Sequence, residues 1–572
     1  MTQTVADVMV EVLSQAGAKR CYGVPGDTLN YFTDAVRRSD LRWVHVRHEE
    51  AGGMAAGADA LLTGELALCA GSCGPGSLHF INGLWESNRN RAPVVLIASQ
   101  IVSAEIGFDF PQEVDFKAIY ASGTVFCEEV RTPAQARRMT AMAAQAALSK
   151  RGVAVLIVPV DVSSAKAPTE PNFSVHRAAP VVRPNEAELA GIASALDAGR
   201  KIAIYGGSGC ENAHGQVMAL AGKLCAPVAR TSRAKDFLEH DNPFDVGMTG
   251  VFGTAGGYHA LTECDTLLLL GCDFAWRQFY PEHATIIQVD INGAHLGRRH
   301  PVDIGVVGDI APTLDALLPL VAQRSDRAFL DDALARAARA EDNLEKRAVA
   351  GSGPIHPQYL TETIARHAQP DAVYTADGGS PMVWCLRHVP STGRNRTVVS
   401  LSHGTMANAM PQALGAQAAF PERQVISLSG DGGIAMLMGD LLTTVQENLP
   451  IKVVVFNNGS LGFVEIEQKV DGLLDTYTDL KNPDFGKVAE AIGMWGRKVE
   501  DPAQLDEAVR AWLAAPGPAL LDVVVDRNEL VMPAKIELAQ VFGTALYSAK
   551  GILAGGERAK GVVELIEDAI TP

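Results

Sequence analysis

Short runs that are apolar on both faces recur along this chain, each separated from the next by a helix-length segment. ELALCAGS (65–72), APVVLIAS (92–99) and GVAVLIVPV (152–160) are of this kind. Strands without a polar face are those buried between two helical layers in parallel sheets, so the alternation predicts an α/β class. KIAIYGG (201–207), DTLLLLG (265–271) and ATIIQVD (284–290) repeat the pattern in a second block, from about 186 to 325. A third block, roughly 355 to 530, has strand-like runs near 372–376, 424–429, 451–456 and 519–525. AKAPTEPNFSVHRAAPVVRP (165–184), with four prolines and no periodicity, reads as a linker. The charged segment RAFLDDALARAARAEDNLEKRAVA (327–350) reads as a helical connector on the surface. Three parallel-sheet α/β domains and a C-terminal helical tail are expected.

Totals narrow the function classes. The chain has 572 residues, enough for three to four domains at roughly 150 each. Its 49 basic and 66 acidic residues give a net charge of −17, which argues against nucleic acid as a partner. Nine cysteines without a CxxC pair read as free thiols of a reducing compartment, not as a zinc or disulfide framework. The amino-terminal MTQTVADVMVEVLSQAGAKR carries Asp7 and Glu11 within its apolar pattern and reads as an amphipathic helix, not a signal peptide. No window reaches the ~18 apolar residues of a spanning helix. A cytoplasmic protein is expected.

Two local patterns carry chemistry. VISLSGDGG (425–433) places Asp431 among glycines directly after a strand-like run, and IKVVVF (451–456) leads into NNGS, Asn457 to Ser460. Asp and Gly are common in turns, so GDG alone is weak. Asp431 and Asn458, however, lie 27 positions apart, about one strand–helix–strand unit of ~30 residues. A parallel crossover then puts both at the carboxyl ends of strands, where open α/β sheets bind ligands. One carboxylate, one amide oxygen and a nearby carbonyl suit Mg²⁺, which completes its octahedron with water and ligand phosphates. Glycines let a diphosphate approach backbone N–H groups at the following helix start.

GDGG paired with NN at this spacing is the thiamine diphosphate signature. Over its whole length the chain resembles the flavin-containing thiamine diphosphate enzymes, most closely the bacterial quinone-dependent pyruvate dehydrogenase and pyruvate oxidase group. That resemblance implies a pyrimidine-binding domain (1–164), a central FAD-binding domain (186–326), a diphosphate- and metal-binding domain (355–530) and a tail (531–572). Glu49, in RHEEAGGM, matches the catalytic glutamate that hydrogen-bonds the cofactor's pyrimidine ring, although acids at a helix start are also ordinary. In SHGTMANAMPQ, Met406 matches the wedge that bends the cofactor, with Gly404 and Thr405 beside it; a buried Met is otherwise plain core. Asp431, Gly432, Gly433, Asn458, Gly459, Ser460, Leu461, Gly462, Phe463 and Val464 fall on its diphosphate segments, with Asp431, Asn458 and Ser460 as metal ligands. Phe463 matches an aromatic near substrate and flavin, and Glu467 a second acid near substrate, an exposed helical glutamate being the plainer reading. Thr249, Gly250, Val251, Phe252, Cys272 and Asp290 match FAD contacts. Gln112 matches a substrate-pocket glutamine, but Pro111 stands before it where close relatives carry an aromatic.

The resemblance implies oxidative decarboxylation of pyruvate to acetate and carbon dioxide, with electrons passing through FAD to ubiquinone. The cofactors implied are thiamine diphosphate, Mg²⁺ and FAD, and the assembly a homo-oligomer, typically a tetramer. GERAKGVVELIEDAITP (556–572) has an apolar helical stripe matching a tail that docks on lipid at the membrane periphery, yet it carries Glu564, Glu567 and Asp568 and no tryptophan. Rival readings are an acetolactate synthase-type carboligase, an oxygen-dependent pyruvate oxidase and a non-enzymatic flavin-binding protein.

Overall fold

The computed structural model describes residues 3–529 except 170 and 352. The whole of the expected tail, 531–572, with its apolar stripe and acidic residues, lies outside the described residues.

Each apolar block folds into one six-stranded, wholly parallel sheet. The first is built from β1 (Arg20–Gly23), β2 (Arg42–His45), β3 (Ala67–Gly71), β4 (Val94–Gln100), β5 (Phe126–Glu129) and β6 (Val153–Pro159), in the order β2-β1-β3-β4-β6-β5. The third consists of β13 (Val373–Ala376), β14 (Arg396–Val399), β15 (Val425–Gly430), β16 (Lys452–Asn457), β17 (Trp495–Val499) and β18 (Ala519–Val524). Its order, β14-β13-β15-β16-β18-β17, repeats that of the first. The middle sheet contains β7 (Ile202–Gly206), β8 (Val228–Arg230), β9 (Asp245–Met248), β10 (Thr266–Leu270), β11 (Thr285–Asp290) and β12 (Ile304–Val307). Its order, β9-β8-β7-β10-β11-β12, is the 3-2-1-4-5-6 arrangement of dinucleotide-binding folds.

Strands whose every residue is buried, such as β4, β6 and β10, lie in the interior of their sheets. The connector helix, Ala328–Glu345, is less of a free surface element than its charge suggests. It buries Leu330 and Ala333 and lays Leu334 and Ala337 against the middle-domain core.

First and third domains share one core. The helix Glu49–Thr63 is rich in Ala and Gly and packs on the equally small-faced helix Ala409–Ala419. A Cβ at Gly415 would stand 1.9 Å from the Ala55 carbonyl oxygen, so the two backbones meet without side chains between them. The helical connection between β15 and β16 is interrupted. It runs Asp431–Met436, turns through Met438–Asp440 and resumes at Leu441. The break places the Asp440 carboxylate against the Arg47 and His48 backbone N–H groups of the first domain, at 2.7 and 3.1 Å.

Candidate active site

In the third sheet β13 and β15 are neighbours, and the strand order reverses between them, so their carboxyl ends frame a crevice. A cleft opens there, lined by Gly378, Gly379, Met406, Gly430, Asp431, Gly432, Gly433, Asn458, Ser460 and Leu461 among others. Helices Ser380–His388, Asp431–Met436 and Gly462–Val470 all begin at its edge. Three helix N-termini give it free N–H donors and a positive field, suited to an anion. A Cβ at Gly379 would meet only Pro381 Cδ, at 3.9 Å, so it would fill the cleft rather than strike a neighbour.

Asp431 is buried and held from three sides. Its Oδ1 accepts from Gly432 N (2.8 Å), and its Oδ2 from Gly459 N (2.8 Å) and Asn482 Nδ2 (2.8 Å). Burial raises its pKa, while those N–H donors oppose the rise. Asn458 Oδ1 accepts from Ser460 N at 3.1 Å. Asp431, Asn458 and Ser460 therefore offer a carboxylate, an amide oxygen and a carbonyl on one wall, a set of hard oxygens suited to Mg²⁺. Among the described residues no group of three His, Cys, Asp or Glu side chains is placed to hold a metal.

The remaining residues singled out from sequence divide into those that join this cleft and those that do not. Met406, Gly462, Phe463 and Val464 line it, with Thr405 behind it, 2.3 Å by its carbonyl from a Cβ at Gly378. Glu467 is exposed and outside the lining; the acid its helix buries is Glu465, bonded to the Ser460 hydroxyl, Lys469 (2.6 Å) and Arg527 (3.0 Å). Glu49 belongs to a separate group at the carboxyl edge of the first sheet. Its Oε2 lies 3.0 Å from His79 Nδ1, and its Oε1 3.5 Å from a Cβ built at Gly76. Gln112, with φ +68°, abuts Gly74 there and accepts from Cys73 Sγ at 3.2 Å.

On the middle sheet Thr249 to Phe252 follow β9, Cys272 follows β10, and Asp290 closes β11. Gly207 and Gly271 cross so closely that a Cβ on Gly207 would lie 2.2 Å from the Gly271 carbonyl. Asp290 is buried, accepts from Asn292 N (2.8 Å) and stands 3.2 Å from His295 Nδ1. Thr249 is buried with no hydrogen-bond partner for its hydroxyl among the described residues, and Gly250 has φ +110°. An orphaned hydroxyl beside a glycine-rich strand edge fits a bound ligand. Arg387 of the third domain donates to the Phe252 and Gly253 carbonyls at 3.1 and 3.2 Å.

Sequence reasoning passed over three contributors. Asn482 orients Asp431 from 51 residues away and carries no local signal. His79 meets Glu49 only through the fold. Asp377 did have a signal, since TADGG repeats the grammar of SGDGG on the adjacent strand. Burial pushes its carboxyl up to about 7, against the N–H groups of Ala409 and Gly430.

An anion cleft with a hard-cation donor set beside a dinucleotide-type sheet defines an enzyme that works through a diphosphate-bearing cofactor. The chain matches the N-terminal TPP binding domain of thiamine pyrophosphate enzymes over residues 3–119, their central domain over 189–317 and their C-terminal TPP binding domain over 377–523. It belongs to the thiamine pyrophosphate enzyme family. The putative thiamine pyrophosphate-containing protein YdaP of Bacillus subtilis is 35% identical over 555 residues, 96% of each chain. Pyruvate oxidase of Lactiplantibacillus plantarum is 30% identical over 549 residues, 94% of this chain and 91% of its own. The acetolactate synthase large subunit of Parasynechococcus marenigrum is 31% identical over 552 residues, 92% and 88%. No helix among the described residues is long and apolar enough to cross a membrane.

Proposed function

We propose that this thiamine pyrophosphate enzyme decarboxylates pyruvate oxidatively, yielding acetate and carbon dioxide, and delivers the electrons through FAD to ubiquinone. The observation that carries the reading is the contact between its two candidate sites: Phe463, lining the cleft, meets Phe252 on the middle-domain loop with ring centroids 6.2 Å apart. A flavin held by Thr249 to Phe252, Cys272 and Asp290 would thus lie beside the cleft.

Asp431, Asn458 and the Ser460 carbonyl hold Mg²⁺, and the glycines of the cleft take the diphosphate. Bound there, thiamine diphosphate supplies the electron sink for decarboxylation. Met406 would support its bent form, and the Gly404 carbonyl would accept a hydrogen bond from its pyrimidine amine. Glu49 hydrogen-bonds the pyrimidine ring. In enzymes of this kind the first and third domains enclose the cofactor across subunits, so Glu49 would serve the cleft of a second copy and the working unit would be at least a dimer.

A carboligase of the acetolactate synthase type is the second reading. The two kinds of relative match at 30% and 31%, and Pro111 before Gln112 leaves the substrate pocket's shape open. The test is flavin absorbance of the purified protein, held anaerobically with thiamine diphosphate and Mg²⁺, while pyruvate is added. Bleaching that a quinone analogue reverses faster than air supports the oxidative reading. A flavin that stays yellow while acetolactate accumulates refutes it.

A further inference from the structure

We infer that Asp377 is the positioning residue of the diphosphate cleft, its one carboxylate fixing the gap between the cleft's two walls. The inference rests on the cofactor reading above and assigns to Asp377 no contact with the metal.

The motif DGG occurs twice at this edge, as Asp377-Gly378-Gly379 after β13 and Asp431-Gly432-Gly433 after β15. The two strands are paired, with Ala376 opposite Leu428. The two carboxylates nevertheless do different work. Both are buried, but Asp431 takes the Asn482 side-chain amide besides the Gly432 and Gly459 N–H groups, whereas Asp377 is held by backbone N–H groups of two other segments. Its Oδ1 accepts from Ala409 N at 2.9 Å and its Oδ2 from Gly430 N at 3.0 Å. Ala409 belongs to the wall that carries Met406, and Gly430 to the wall that carries Asp431. One rigid, planar group therefore spans both.

Neighbouring residues fit that role. Asn408 completes the clamp from the opposite side, accepting from Gly378 N (2.9 Å) and donating to the Ala376 carbonyl (2.9 Å). Ala407, between Met406 and this clamp, has φ +61°, a left-handed conformation that alanine keeps only when its surroundings impose it. A Cβ at Gly433 would stand 2.1 Å from Asp377 Oδ2, so the glycine there makes room for the carboxylate as well as for a ligand. Across the gap Met406 Cε lies 3.1 Å from a Cβ at Gly432, so a small shift of either wall changes what the cleft can hold.

The test uses the full-length chain at pH 8 and titrates thiamine diphosphate at saturating Mg²⁺, read by intrinsic fluorescence, since Trp384 lines the cleft. Asp377→Asn keeps the shape but aims an N–H at one of the two backbone N–H groups. We expect thiamine diphosphate to bind at least ten-fold more weakly, with the KM for pyruvate unchanged once cofactor is saturating. Binding within two-fold of wild type overturns the inference alone. A wild-type chain that binds no thiamine diphosphate overturns the cofactor reading and this inference with it. If Asp377→Asn does not fold, Asn408→Ala, which opens the other side of the clamp without altering the cleft lining, should show the same kind of loss, and unaltered binding there overturns the inference.

Discussion

Phe252 and Phe463 stand edge to face, 6.2 Å between ring centroids, one on the loop after β9 and the other in the first turn of the Gly462–Val470 helix. Edge-to-face pairs contribute about 1 kcal/mol beyond their burial. A double-mutant cycle with both residues changed to Leu should give a coupling near that value in urea unfolding. If the flavin reading holds, Phe463→Leu should also slow pyruvate-driven flavin bleaching while thiamine diphosphate affinity stays within a few-fold.

Asn482→Ala should weaken Mg²⁺ binding in the presence of thiamine diphosphate by about 10- to 100-fold, the usual effect of removing a group that orients a metal ligand. Asn482 Nδ2 is shared between Asp431 Oδ2 (2.8 Å) and Asn457 Oδ1 (3.0 Å), so its loss frees the carboxylate to rotate. Calorimetric titration measures it. Unaltered metal affinity would show that Asp431 is oriented by the Gly432 and Gly459 N–H groups alone.

Glu49→Gln should still bind thiamine diphosphate but lose turnover by about 10²- to 10⁴-fold, the range for a lost acid–base group. The amide preserves the volume beside His79 while removing the transferable proton. Steady-state kinetics at saturating cofactor decides it, and full activity would sink the role given to Glu49.

Glu239 offers a pH signature. Burial alone would raise its pKa, but Lys235 and Arg230 hold it down to about 2, from an ordinary 4.5. Since the folded value is depressed, the pair's stabilisation is fully present above 4.5 and fades as pH falls toward 2. Glu239→Gln should therefore be less stable than wild type by about 3 kcal/mol at pH 7, as expected when one partner of a buried pair is removed. The deficit in urea unfolding should shrink as pH drops from 4.5 toward 2. A deficit independent of pH would mean the loss is one of packing.

Gly415→Ala sets two effects against each other. Replacing Gly by Ala within a helix normally gains about 1 kcal/mol. Here the new Cβ would sit 1.9 Å from the Ala55 carbonyl oxygen and 2.7 Å from its carbon, both backbone atoms that cannot step aside. Overpacking of this kind costs about 1–3 kcal/mol, so a lower melting temperature is expected. A higher one would mean that the first and third domains pack less closely than 1.9 Å implies.

The sequence by itself determined the three α/β blocks, because strands buried on both faces need an apolar run at their centre, as Val94–Ala98 of β4, Leu267–Leu270 of β10 and Val453–Phe456 of β16 provide. It did not reveal edge strands such as β2 and β17, whose solvated sides break the apolar run. Asp431 and Asn458 were legible through a spacing that a strand–helix–strand crossover enforces. The tertiary structure alone decided which of Glu465 and Glu467 is buried, since both lie on one short helix and only packing against Ser460, Lys469 and Arg527 separates them. It alone brought Asn482 to Asp431, joined Phe252 to Phe463 and gave the two DGG aspartates different tasks. Periodicity and spacing record what the local chain must do, whereas a buried carboxylate is also held by donors that only the fold brings to it, such as Asn482 at Asp431 and Arg527 at Glu465.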